Sequence, residues 1–113
     1  MQDHHIDGTH LCSKRHAKLS FRKRILDNWD FTCAYCGAEA HTLDHVHPRS
    51  KGGFTSAENM VACCADCNRD KGSENWIIWY RSQDYWTPER EADIWIWINF
   101  KDKRPLELLS IHI

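Results

Sequence analysis

The chain has 113 residues, 42% hydrophobic and 27% charged, with a formal net charge of −1 at neutral pH. That length supports one domain with a modest core, and that balance excludes wholesale disorder. No apolar run approaches the roughly 18–20 residues that a membrane span needs, so no membrane partner is expected.

Met1 to Asp7 carry no apolar signal segment, so the expected setting is intracellular and cytoplasmic. Thiols stay reduced there, and close cysteine pairs read as metal ligands rather than disulfides. Residues 1–17 hold His4, His5, His10, His16 and a lone Cys12 without periodicity, and read as a loosely packed N-terminal arm. An accessory metal site is the alternative. Lys14, Arg15, Lys18, Arg22, Lys23 and Arg24 then follow between Gly8 and Leu26 with no acid among them. Such a local basic face can hold a phosphate backbone whatever the global charge, although a solvated helix face would look the same. Residues 18–29 read as a short helix, with Leu19, Ile25 and Leu26 set apart from the basic positions.

Two Cys-x-x-Cys pairs come next, Cys33/Cys36 and Cys64/Cys67, and Gly37 supplies the tight turn of the first. Thiolates at i and i+3 in a turn converge on one ion, and two such turns complete a tetrahedral zinc site, usually closed and structural. Cys63 could stand in for Cys64, but its spacing to Cys67 is one residue too long, so Cys63 reads as a small packed hydrophobe. The 27 residues between Cys36 and Cys64 exceed the ~15–20 of a plain zinc ribbon, so a segment is inserted.

That insert has β character over residues 41–47, ended by Pro48, then a Gly52-Gly53 loop over 50–56 and a short return strand over 59–62. Residues 65–71 fit a brief helix stopped by Gly72. Ser73 is the expected cap of a further helix holding Trp76, Ile77, Trp79 and Tyr80. Thr87-Pro88 signals another helix over residues 89–100, although the alternation Ile94-Trp95-Ile96-Trp97-Ile98 would also suit a strand. Beyond Lys101, Pro105 interrupts a tail with no assignment. The tryptophans of this last third (Trp76, Trp79, Trp86, Trp95, Trp97) read as core, covering the central unit or forming a dimer face. Monomer and homodimer both stay open.

Inside the insert, Asp44 and the nearby Asn68 offer hard oxygen ligands suited to Mg²⁺ or Mn²⁺, which keep waters and accept phosphate oxygens. An unliganded imidazole such as His45 can deprotonate water near neutral pH. Metal, base and phosphate suffice for phosphodiester hydrolysis. Adjacent strand residues point to opposite faces, so Asp44 and His45 can serve one site only if the strand bends or ends there.

The stretch from about Leu19 to Gly72 resembles the HNH endonuclease family of the ββα-metal (His-Me finger) fold, in its zinc-stabilised form. The resemblance is carried by the basic helix, Cys33-x-x-Cys36-Gly37, Asp44-His45-x-x-Pro48, Gly52-Gly53, Asn59 and Cys64-x-x-Cys67-Asn68-x-x-Lys71-Gly72. It implies an α+β fold: a small ββα-metal core over residues 18–75 with a four-Cys zinc clamp and flanking helices, extended within the same domain by 76–113. It further implies that His45 is the general base, that Asn59 orients the base or pins the loop, and that Asn68 stands where the family has a second histidine. An amide there leans the ion held with Asp44 toward Mg²⁺ or Mn²⁺. DNA is the expected substrate, cut on one strand or both by a small phage or homing-type enzyme. His47 is the candidate supporting residue behind His45. Arg22, Lys23, Arg24, Arg49, Lys51, Arg69 and Lys71 are the candidate contacts to the DNA backbone. A zinc-stabilised nucleic-acid-binding module without activity is the other reading.

Overall fold

A computed structural model describes the backbone of residues 2–99 and the side chains from Lys14 to Asn99. The side chains of His4, His5, His10 and Cys12, and the tail after Asn99, lie outside the described residues.

Helix α1 spans Gln2–Asn28. The helix expected over 18–29 therefore runs back through the segment expected to be an arm. Lys, Arg, Ala and Leu favour helix along it, and Gly8 is the weakest former that must be carried. Near its C-terminal end α1 buries Ile25 and Leu26 against the core, while Leu19 stays exposed. The chain then reverses at Asp30 and Phe31, both with positive φ, as the Phe31 amide bonds to the Leu26 carbonyl at 2.8 Å. This turn delivers the first cysteine pair. Gly37 is required in that knuckle twice over: its φ is 84°, and Arg90 packs where a Cβ would stand.

Strands β1 (Thr42–His45) and β2 (Met60–Cys63) form an antiparallel pair in which Asp44 faces Val61 and His45 faces Met60. Both are shorter than or shifted from expectation. β1 stops at His45 because Asn59 takes over both backbone groups of His47, and β2 starts only after the 3-10 turn Ala57–Asn59. Every β2 residue is buried, as a strand covered on both faces must be.

Helix α2 (Ala65–Lys71) lies along the free edge of β1. Its Asn68 amide donates to the Leu43 carbonyl at 3.0 Å and its Lys71 ammonium to the His45 carbonyl at 2.9 Å. Alternate carbonyls of an antiparallel edge strand point away from the partner. Residues at i and i+3 of a helix match them, because they share a face. Hairpin and helix together make the ββα unit, so the α+β expectation holds.

Helix α3 (Trp76–Arg81) is capped by Asn75, whose side chain accepts from the amides of Ile77 and Ile78, and not by Ser73. Residues 72–74 are used up in leaving α2, with the Glu74 amide bonded back to Lys71. Helix α4 (Pro88–Asn99) is capped by Thr87, which accepts from the Arg90 amide, so the alternating Ile/Trp run is helical rather than extended. Trp76, Trp79 and Trp97 are buried, and the Trp97 indole donates to the carbonyls of Ala57 and Met60. Those tryptophans are core, whereas Trp95 remains 55% exposed. No helix among the described residues is long and apolar enough to cross a membrane.

Candidate metal centre and hydrolytic site

The sulfurs of Cys33, Cys36, Cys64 and Cys67 lie within 4.8 Å of one another. Two backbone amides point at them, Ala38 N–H toward Cys36 and Cys67 N–H toward Cys64, each at 3.4 Å. Such bonds stabilise sulfur as thiolate. Hydrogen bonds from Cys63 and Cys67 hold the Cys33 thiol far below its ordinary pKa, and their bonds to Cys33, with burial, raise Cys63 and Cys67. A Zn²⁺ held among them would let the four ligands ionise together. The donor set, its spacing and its amide bonds fit a structural zinc. Cys63 is fully buried and lies outside the four-sulfur group, as expected of a packed hydrophobe.

The zinc knuckles reach directly into the second centre. Tyr35, between Cys33 and Cys36, is fully buried and donates its hydroxyl to Asp44 Oδ2 at 2.7 Å. Lys71 Nζ meets the same oxygen at 3.1 Å, with its side chain wholly withdrawn from solvent. Burial raises the Asp44 carboxyl, and Lys71 and Tyr35 oppose that rise. Both partners use Oδ2. Among the described residues Oδ1 takes no hydrogen bond, so this oxygen is the one available to an ion.

Asn68 directly follows the last cysteine. Its amide nitrogen is anchored on Leu43, which leaves its Oδ1 uncommitted among the described residues. Asp44 and Asn68 each keep one oxygen uncommitted among the described residues, and such oxygens are the donor chemistry that suits a hard divalent cation.

His45 is partly exposed, and its Nε2 lies 2.8 Å from Thr55 Oγ1. Burial lowers its pKa; the Asp44 charge opposes this, while Arg49 and Lys71 reinforce it. The shift favours the neutral imidazole, the form that a general base requires.

Among the described residues, no hydrogen bond joins Asn59 to the His45 ring. Its Oδ1 accepts from His47 N–H at 2.8 Å, and its Nδ2 donates to the carbonyls of His47 and Phe54, each at 2.9 Å. Of the two roles implied for Asn59, these bonds are those of a loop pin. They leave room only for a glycine at position 53, where a side chain would collide with the His47 carbonyl. The His47 imidazole is exposed, and it is the backbone of His47 that is held.

Six of the expected backbone contacts remain on the surface. Arg24, Arg49 and Lys51 are exposed, Arg22 donates to the His41 carbonyl, Lys23 pairs with Asp27, and Arg69 pairs with Asp66. Exposed pairs of this kind are worth little and yield readily to a phosphate. Lys71 is the correction: its side chain has no exposure, is committed to Asp44 and the His45 carbonyl, and is not presented on the surface. The i, i+3 spacing of Asn68 and Lys71 carried the signal, since it puts both on the face of α2 that meets β1. Nothing in the spacing marked Tyr35 or Thr55. A groove between α1 and the hairpin, lined by Lys18, Leu19, Arg22, Leu43, Thr55 and Met60, leads from the basic helix to the partner of His45.

Comparison with known proteins bears on this stretch. Residues 33–74, which include both centres, match the family model described as HNH endonuclease. The CRISPR-associated endonuclease Cas9 of Corynebacterium diphtheriae is 40% identical over 67 residues, which cover 55% of this chain. The chain spans only about 6% of that relative's length. No solved structure matches it.

Proposed function

We propose, from the HNH endonuclease domain at residues 33–74, that this chain is a metal-dependent DNA endonuclease. The observation that carries the reading is the arrangement along β1 and its edge. Asp44 keeps one oxygen uncommitted, Asn68 is anchored by its nitrogen, and His45 is held by one ring nitrogen, leaving the other to act as a base.

A divalent cation, Mg²⁺ or Mn²⁺, held by Asp44 and Asn68 would offset the charge on the scissile phosphate and the leaving oxygen. His45 accepts the proton of the attacking water, and its lowered pKa keeps it able to do so at neutral pH. Lys71 and Tyr35 keep Asp44 oriented, and Asn59 keeps the loop closed over the end of β1. The zinc performs no chemistry; it fixes Tyr35 on one side and Asn68 on the other. Arg22, Lys23, Arg24, Arg49, Lys51 and Arg69 supply a surface for the DNA backbone. The phage or homing setting rests on the sequence resemblance alone, and the CRISPR setting belongs to the relative.

The test is incubation of supercoiled plasmid with the zinc-loaded protein and Mg²⁺ or Mn²⁺. Nicking or linearisation that disappears in Asp44→Ala and His45→Ala supports the reading. Binding without cleavage under either ion returns the chain to the class of nucleic-acid-binding modules.

A further inference from the structure

We infer that Thr55 is the positioning residue for His45: its hydroxyl accepts the Nε2 proton and so holds the imidazole in the tautomer whose Nδ1 is the base. This rests on the endonuclease reading above. A neutral imidazole has one donor nitrogen and one acceptor nitrogen, and a partner on one decides the state of the other. Among the described residues, the contact of 2.8 Å to Thr55 Oγ1 is the single hydrogen bond made by the His45 ring. A hydroxyl donating to Nε2 would leave the proton on Nδ1 and no nitrogen free to take one from water. The accepting arrangement is therefore the one consistent with a base.

Thr55 is exposed, yet its backbone is not loose. Asn59 Nδ2 holds the carbonyl of Phe54, immediately before it, and the Gly53 amide bonds to the Pro48 carbonyl at 2.9 Å. The β-branched side chain of Thr55 has few χ1 states of its own. A chain of contacts follows, in which Asn59 pins the loop, the loop presents Thr55 and Thr55 fixes His45. Asn59 thereby acts on a ring to which it makes no hydrogen bond.

The experiment uses the full zinc-loaded chain as wild type, Thr55→Val and Thr55→Ser, with two readouts. The first is the ¹⁵N spectrum of labelled histidine at about pH 8, above the ordinary imidazole range, with His45 assigned from His45→Ala. The second is the maximal cleavage rate under saturating DNA. Wild type should show His45 protonated at Nε2. Thr55→Val should show mixed tautomers and a rate about ten-fold lower, a fraction of the 10²–10⁴ a general base supplies, with unchanged zinc content and half-saturating DNA. Thr55→Ser should restore both readouts.

Nδ1-protonated His45 in wild type overturns the proposal, as does a Thr55→Val protein with wild-type spectrum and rate. If wild type cuts no DNA, the endonuclease reading fails and the spectra still decide the role of Thr55.

Discussion

Lys71 Nζ stands 3.1 Å from Asp44 Oδ2, and the side chains are 0% and 6% exposed. An ion pair this far from water is maintained because each charge neutralises the other, and the Tyr35 hydroxyl and His45 carbonyl complete the hydrogen bonding. Taking away one partner leaves an uncompensated buried charge, which costs far more than the pair contributes. Lys71→Met should destabilise the zinc-loaded protein by about 3–5 kcal/mol in urea unfolding. The double variant Lys71→Met/Asp44→Asn should recover much of that loss, since no buried charge remains, while staying unable to cut. Equal instability of the single and double variants would show that the lysine packs rather than compensates.

The zinc centre makes a second expectation. Cys33→Ser or Cys67→Ser should lose bound zinc and the folded state together, because metal binding of about 10 kcal/mol or more in small zinc domains is folding free energy. Cys63→Ala should retain about one zinc per chain, measured by elemental analysis, at a stability cost of about 1 kcal/mol for a small buried side chain. Zinc loss in Cys63→Ala would mean that the ligand set had been drawn one residue off.

Much of this was legible from residues alone. The Cys-x-x-Cys pairs announced a four-sulfur cluster with a long insert between its halves, and residues 65–71 are helical as their Gly72 stop implied. What escaped was whatever depends on three-dimensional closure. Tyr35 is simply one of the two unspecified residues of a knuckle until the fold brings it against Asp44. Lys71 looks like a solvent charge until α2 turns it inward along the β1 edge. The N-terminal segment lacked apolar periodicity and is rich in middling helix formers such as His, Asp, Thr and Ser, so its continuity with α1 was not legible. Ser73 had the right chemistry for a cap but stands before the turn out of α2 is complete, and Asn75 does the capping.

The pH dependence of cleavage follows from the environment of His45. Burial, Arg49 and Lys71 depress its pKa below the ordinary 6.5, against the opposing charge of Asp44. The base is active when deprotonated, so the rate should rise with pH through this group and level off above it. Half-maximal rate should therefore fall below 6.5, read from single-turnover rates under saturating metal. A midpoint above that value would show that the attraction of Asp44 dominates.

Surface charge and buried charge should separate cleanly in binding. Arg49→Ala/Lys51→Ala should weaken DNA affinity and flatten its dependence on salt by roughly one unit of log–log slope per lost phosphate contact. The melting temperature should barely move, because both side chains are exposed. An unchanged slope would remove the loop after β1 from the DNA interface.

The most direct measurement is plasmid cleavage by wild type beside His45→Ala, both zinc-loaded and equally folded, in Mg²⁺ or Mn²⁺. Wild type should convert supercoiled DNA to nicked or linear form, and His45→Ala should be slower by about 10²–10⁴ with DNA binding intact. Equal rates for the two proteins would contradict His45 as the base, and no cleavage by wild type under either ion would contradict the endonuclease itself.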